Sequence, residues 1–353
     1  MLGIGKKKAK KAKKAKNAKE AKETKKGDAM AMAVRLHETG GPEVLKYEKV
    51  TVPKPGKGEA LVRHTAIGVN FIDTYHRAGS YKLENLPAVI GMEGAGVVEA
   101  VGEGVKAVKP GDRVAYASPP AGAYAESRVI PAHRLVVLPE GISEETAAGM
   151  MLKGLTAQYL LRRVHRVVKG EPILVHAAAG GMGLILCQWA KHLGAAVFGT
   201  VGNAEKAEIA KAHGCDVPIV ADQQNFVEII AKATKGIGVG VVYDGIGRST
   251  FDRSLEVLGL LGHMVLYGQA SGPVPPLDLS RLAAKSLTLS RPTLFHYTMR
   301  RRALERMANE LFEVVLSGAV KIEVHHRFPL KDAAKAHAAL EGRQTTGSVI
   351  LIP

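Results

Sequence analysis

Continuous apolar runs separated by amphipathic stretches organise the middle of the chain. PILVHA (172–177), AAVFGT (195–200), VPIV (217–220), VGVVYDG (239–245) and GHMVLYG (262–268) have the pattern of strands buried on both faces of a parallel sheet. Between them, LILCQWAKHL (184–193) and AEKAEIAKAH (204–213) place apolar residues at helical spacing and stop at Gly194 and Gly214. Further helices are predicted after Asp222 and between the last two strands. Helical sequence from Ser143 to about Val168 precedes the first strand, with Ser143 as N-cap and Glu144 and Glu145 in the first turn. This rhythm predicts an α/β, doubly wound Rossmann-like domain.

Residues 34–140 show a different pattern. Short runs such as VLKYEKV (44–50), EALVRHTAIGV (59–69), GVVEAVG (96–102), DRVAYA (112–117) and AYAESRVI (123–130) are punctuated by Gly-Pro, Pro-Gly and Pro-Pro pairs. They predict a small barrel-like β domain. After about Arg291 the alternation fades into a helix over about 301–317 and the strand-like ending GSVILIP. A lone final strand needs a sheet to join, so it is predicted to return to the first domain. SLTLS (286–290) reads as an edge strand whose unpaired backbone groups a second copy of the chain would cover, predicting a homodimer.

Charge changes this picture in one place. The formal net charge is +16, but residues 1–28 hold 12 Lys against Glu20, Glu23 and Asp28 and so carry +9 of it. The stretch KKKAKKAKKAKNAKEAKETKKGD (6–28) has no apolar stripe to bury and reads, with Ala29, as a disordered or fraying helical tail (1–29). Such a tail would bind nucleic acid weakly and without sequence preference; a solubilising tail or a misassigned start are the alternatives. Two cysteines, Cys187 and Cys215, give no disulfide framework and fit a reducing, cytoplasmic setting. No apolar run is long enough to span a membrane.

The first chemistry-bearing motif is HAAAGGMGLILCQWAK (176–191), a glycine turn that follows a strand and opens a helix. Gly180, Gly181 and Gly183 would let backbone approach a pyrophosphate at a helix N-terminus; a tight βα turn is the plainer alternative. At the end of the next strand, where an NAD site usually carries an acid, the residues are Gly199, Thr200, Val201, Gly202 and Asn203. The first acid is Glu205, already helical, and Lys206 follows. Without a carboxylate to repel a 2′-phosphate, and with a lysine to attract it, NADPH is predicted over NADH. The alternative for Lys206 is an ordinary exposed helix lysine.

GMEGAGVVEAVGEGV (91–105) and AIGVNFIDTYHRAGSY (66–81) resemble the medium-chain dehydrogenase/reductase superfamily. Where the zinc alcohol dehydrogenases of that superfamily carry a zinc-binding His and Cys, this chain has Met92 and Asn70, and it lacks a four-cysteine lobe. No metal site is therefore expected. The segments GGPEVL (40–45), NFIDTY (70–75), GDRV (111–114), LKGLTA (152–157), HAAAGGMG (176–183), VVYDGIGR (241–248), SRPTL (290–294) and TTGSVILIP (345–353) resemble the zeta-crystallin-like quinone oxidoreductase group, from about residue 32 to Pro353. The resemblance implies a GroES-like catalytic domain formed from both chain ends (30–152 and 292–353) around a Rossmann-like NADPH-binding domain (153–291). It also implies a homodimer and a cleft that holds NADPH. Phe71, Ile72, Asp73, Thr74 and Tyr75 would approach the nicotinamide, Gly181 and Met182 the pyrophosphate, and Lys206 the 2′-phosphate. Thr156, Gly202, Gly245, Gln269, Ala270, Ser271, Gly272, Arg291 and Arg343 are further implied cofactor contacts. One departure is Ala221, where the group often has a tyrosine near the adenosine.

A quinone accepts charge into an aromatic oxygen whose conjugate phenol titrates near ~10, so its reduction needs little Lewis-acid help. Asn70, Tyr75 and Tyr81 are the candidate acceptor-pocket residues, with Asn70 and Tyr75 donating to the quinone oxygen. For Tyr75 the alternative is a packed core tyrosine, and for Tyr81 a surface loop. Lys153, at a helix beside the domain junction, reads as structural or cofactor-adjacent. An NADPH-dependent enone or alkenal reductase uses the same fold and cofactor and stays open, as does an NADPH-binding protein that engages nucleic acid through its tail.

Overall fold

The structure is a computed structural model that describes residues 29–353. The expected tail, and the nucleic-acid binding expected of it, therefore concern residues outside those described, except Ala29, which already begins a strand.

Among the described residues there are three sheets. The smallest joins β1 (Ala29–Leu36) to β2 (Leu45–Val52) and β4 (Ala88–Val89) in the order β2-β1-β4. The barrel-like sheet is built on β3 (Glu59–Val69), an eleven-residue strand that pairs with β5 (Glu93–Val101) along most of its length and with β7 (Ser127–Pro131). It continues through β6 (Arg113–Ala117) to β8 (Val136–Val137). On its other side lie β16 (Ser348–Ile352), antiparallel to β3, and β15 (Val324–Pro329), parallel to β16. The apolar ending thus does return to the first sheet, where its buried residues pair with β3 and β15.

The third sheet contains β9 (Pro172–Val175), β10 (Ala196–Val201), β11 (Val217–Val220), β12 (Val239–Asp244), β13 (Leu258–Leu266) and β14 (Thr288–Ser290), all parallel, in the order β11-β10-β9-β12-β13-β14. In terms of its own strands this is the doubly wound order 3-2-1-4-5-6. The α/β fold is the one the apolar rhythm predicts, and β14 is its edge.

Helices cover both faces. After α1 (Phe71–Arg77), α2 (Glu144–Tyr159) is capped by Ser143, whose hydroxyl accepts the Thr146 N–H at 3.1 Å. It continues as a π-turn over Leu160–Val164 and stops there, short of the expected Val168, as His165 turns extended. α2 packs on β3, β5 and β6 and also on α3 (Gly181–His192), so one continuous helix crosses the expected 152/153 boundary. Its buried face, including Met150, Met151 and Leu155, joins the core that runs on into Ile173 and Val175. α4 (Ala204–Ala212), α5 (Phe226–Ala233), α6 (Phe251–Val257) and the short α7 (Ser280–Ala283) complete the parallel unit. α8 (Leu294–Tyr297), α9 (Arg301–Leu316) and α10 (Ala333–Glu341) belong to the C-terminal stretch.

A tight joint between the turn after β9 and α3 is at Gly183. A Cβ there would lie 2.2 Å from the Ala177 carbonyl oxygen and 2.7 Å from the Ala178 backbone, so α3 can approach the sheet only over a glycine. Gly183→Ala should cost about 1–3 kcal/mol, as overpacking does. It is read as a lower urea midpoint at unchanged slope; a midpoint equal to wild type would show that the turn yields freely.

Candidate active site

The strand order reverses between β9 and β12, and at this point the carboxyl ends of a doubly wound sheet receive ligands. Three turns converge there. The turn after β9 passes through Ala177, held at φ 52, to Gly180, which opens α3 without a side-chain cap. Its first amides therefore remain donors for an anion. Gly180 bridges to Gly347 just before β16, and the Gly347 N–H donates to Ala179 O at 3.2 Å. A side chain at Gly181 would meet Gly347 O at 2.8 Å and Lys153 Cε at 3.0 Å. Met182 and Gly183 complete the first turn of α3.

The turn after β12 is ordered by Asp244. This fully buried carboxylate accepts the Ile246 and Gly247 N–H groups at 2.7 and 2.9 Å and the Thr250 hydroxyl at 2.7 Å. Ser254 links it to His176 Nε2, 2.8 Å away, while His176 Nδ1 meets the Thr200 hydroxyl at 2.8 Å. The ends of β9, β10 and β12 are stitched together, with burial pushing His176 down from its ordinary value. Gly245 lies against the Tyr267 ring. The third turn, Gln269 to Gly272, is anchored by Ala270 N–H on Gly245 O and by the Ser271 hydroxyl on Ile246 O. Gly272 has φ 106, a left-handed backbone that glycine adopts freely.

Facing these turns is α1. Tyr75 accepts the Gln269 N–H at 3.2 Å, and the Tyr75 and Tyr81 rings lie 5.2 Å apart. Arg291 donates to Tyr81 Oη and Gln269 Oε1 at 3.4 Å and to Leu266 O at 3.2 Å. Tyr75, Tyr81, Gln269 and Arg291 therefore form one cluster, bringing together residues more than 190 positions apart. Burial pushes the Tyr75 phenol up to about 12, so it stays protonated and keeps its O–H to donate. Phe71 and Ile72 are half-buried at the start of the same helix.

Asp73 and Thr74 are placed differently. Their side chains are buried: Asp73 Oδ2 accepts the Asn70 N–H at 2.9 Å and the Tyr124 hydroxyl at 3.2 Å, and Thr74 donates to Phe71 O. Both serve α1 itself. Behind Asp73, Arg77 donates to His337 Nδ1, which leaves Nε2 to carry the proton shared with Tyr124, and Arg77 pairs with both Glu341 oxygens. Asn70 is buried as well, and its amide donates to Glu93 Oε2 at 2.7 Å. Glu93 is 0% exposed and also accepts the Leu152 N–H at 2.7 Å. Lys153 approaches the same Oε2 to 3.6 Å from within α2, and Thr156 lies one turn further along that helix.

A second group sits at the far end of the turn after β10. A side chain at Gly202 would meet nothing within 4 Å. Asn203 caps α4 through the Lys206 N–H, and Lys206 Nζ donates to Arg343 O at 2.6 Å. Burial, then the Arg343 guanidinium, hold the Lys206 ammonium below its ordinary value against the pull of Glu205. Arg343 itself has φ 56. Two cations stand together here, and their charge, like the uncapped start of α3, is an arrangement that attracts anions.

Sequence reasoning did not single out Glu93, Asp244, His176 or Tyr124. Glu93 stands in the GMEG segment read only for its missing metal ligand, and His176 opens the motif read only for its glycines.

Residues 56–172 match the alcohol dehydrogenase GroES-like domain and residues 181–309 the zinc-binding dehydrogenase family. A quinone oxidoreductase of Pseudomonas aeruginosa is 48% identical over 325 residues, which cover 92% of this chain and 100% of the relative. The chain belongs to the quinone oxidoreductase family. The crystal structure of Escherichia coli quinone oxidoreductase complexed with NADPH shares this fold with a TM-score of 0.89 and 46% identity, over 92% of this chain and 100% of that one. A 2-haloacrylate reductase of Burkholderia is 45% identical over 331 residues, 92% of this chain and 99% of its own. The zinc named in one family description does not fit the donors present. Asn70 gives its amide to Glu93, Met92 offers only a thioether, and among the described residues no group of three His, Cys, Asp or Glu could hold a metal ion.

Burial, with the Glu93 charge adding to it, pushes Asp73 up to about 7, against the Asn70 and Tyr124 hydrogen bonds and the Lys153 charge. An acid that is harder to ionise in the folded chain binds more protons there than when unfolded. Its contribution to stability is therefore lost as pH rises from about 4 to about 7. Asp73→Asn should gain stability relative to wild type between pH 5 and pH 8, measured by urea unfolding at both. A difference that does not change with pH would mean that Asp73 titrates as an ordinary carboxyl.

Proposed function

We infer that this chain is an NADPH-dependent quinone reductase. The observation that carries the reading is the meeting of Tyr75 and Tyr81 with Gln269 and Arg291 at the switch point of the sheet. The contacts gather the Tyr75 and Tyr81 hydroxyls and the Arg291 guanidinium where, in this reading, the nicotinamide end of the cofactor would lie. NADPH supplies the hydride when bound. The quinone takes up that hydride and one proton from water, giving hydroquinone and NADP. Tyr75 holds a protonated hydroxyl toward the acceptor oxygen, and Arg291 holds Tyr81 in place. The Asn70 amide spends one N–H on Glu93 and keeps the other. Gly180 to Gly183 receive the diphosphate, and Lys206 and Arg343 the 2′-phosphate.

In this reading the GroES-like domain comprises 30–152 with 292–353 and the Rossmann-like domain 153–291. Two copies pair along β14, near which Leu260, Leu261 and Leu279 lie exposed. Among the described residues no helix is long and apolar enough to cross a membrane, and Cys187 and Cys215 are buried thiols, which supports a cytoplasmic setting.

NADPH oxidation in the presence of a chelator is expected with benzoquinone, naphthoquinone and phenanthrenequinone and not with a simple aldehyde. Turnover confined to an enone or alkenal would make the chain a double-bond reductase instead. Lys206→Ala should raise the NADPH Kd about 10-fold or more, the equivalent of one charge-assisted hydrogen bond, and leave the NADH Kd within about twofold. Equal weakening of both cofactors would remove the 2′-phosphate from this site.

A further inference from the structure

Lys153 is a buried ammonium without a matching hydrogen bond. The residue is 8% exposed, and among the described residues its Nζ has no hydrogen-bond partner. Among the described residues the one carboxylate oxygen within 4 Å of it, Glu93 Oε2, stands 3.6 Å away, beyond hydrogen-bond reach. Three N–H donors withdrawn from water and left unmet are unfavourable, so the position implies a partner that arrives with the ligands. The stem of the side chain shows where. Cδ and Cε pass beside Gly181, at the mouth of the dinucleotide turn, and the chain end lies against the carboxylate oxygen that binds Asn70. The ammonium and the Asn70 amide are thus gathered around one oxygen of Glu93, and each has N–H groups to spare.

We propose that Lys153 is a catalytic residue of the acceptor site, donating to the oxygen on which negative charge develops as the hydride adds. The proposal rests on the quinone reductase reading for the identity of that oxygen. Hydride addition turns a neutral quinone into a hydroquinone monoanion before water returns the proton. A buried ammonium at that oxygen favours the charged state over the neutral one, which a preorganised donor in a water-poor site does best. Glu93 has a separate duty. It holds the ammonium in place without a tight ion pair, and its carboxyl is pushed up by burial against the pull of Lys153, Asn70 and Leu152.

The test compares wild type with Lys153→Met, Lys153→Arg and the double variant Lys153→Met/Glu93→Gln, using substituted 1,4-benzoquinones whose hydroquinones span a range of acidity. Lys153→Met should lower kcat about 10²-fold. The loss should be largest for quinones that give the most basic hydroquinone anions, and NADPH affinity, titrated by cofactor fluorescence, should stay within twofold. Lys153→Arg should recover part of the rate. The double variant removes both charges and so avoids stranding Glu93, and it should fold while keeping the deficit. Three results overturn the proposal. A double variant with wild-type turnover would reduce Lys153 to a counterion for Glu93. Weakened NADPH binding with kcat intact would make it a ligand of the cofactor diphosphate. An equal loss across the quinone series would remove charge stabilisation. If wild type reduces only enones, the quinone reading fails by itself. The same comparison then runs on substituted enones, whose enolate oxygens make the same demand of Lys153.

Discussion

A carboxylate sealed from water must have its lone pairs met from within, and Glu93 sets that demand at the centre of this molecule. It is met by the Leu152 N–H of α2, the Asn70 amide at the head of α1 and, more loosely, the Lys153 ammonium. Each partner comes from a segment that the site cannot do without. Fixing Asn70 fixes the start of α1 and hence the direction in which Tyr75 leaves that helix. Fixing Leu152 and Lys153 fixes α2 against the barrel-like sheet and brings a lysine stem under the glycine turn. Burying a charge is expensive unless it is paired and hydrogen-bonded. Here the pairing is shared among several elements, so the order of the site and the order of the fold depend on the same contacts.

The parallel half of the molecule was readable in the sequence because its strands are buried on both faces and therefore written as unbroken apolar runs. The prediction that the last strand rejoins the barrel followed from the same logic, since an apolar strand cannot remain alone. The sequence around the end of β10 carries no acid before Glu205 and places Lys206 in the first turn of α4, where the structure sets it beside Arg343. What escaped was local in sequence but non-local in cause. α1 is seven residues long, too short to show a helical period, and its start is set by the Asn70–Asp73 contact. Asp73 stands beside candidate cofactor residues along the chain, yet its partner Tyr124 lies 51 residues away and draws the carboxylate inward. Glu93 and Lys153 could not be paired from sequence, since their meeting depends on how α2 crosses two sheets.

The chain terminus joins the two halves of the candidate site. Arg343 brings its carbonyl and its charge to Lys206, Gly347 bridges to the head of α3, and Ser348 begins the strand that closes the barrel side. Within six residues the backbone passes from the Lys206 contact to the β3 sheet. The left-handed geometry of Arg343, which costs a residue with a side chain about 1–2 kcal/mol, lies on this path. Strain of this kind persists only where surrounding contacts fix it, and here they also aim the cations.

Helix α2 has a consequence for how ligands come and go. It runs unbroken from the barrel-like sheet to the parallel one, so the joint there is a stiff rod in place of a loop. A rod resists bending but allows slight torsion about its own axis. Any movement of the barrel-like sheet against the parallel one should therefore resemble the turn of a key more than the swing of a door, with displacements smallest near α2.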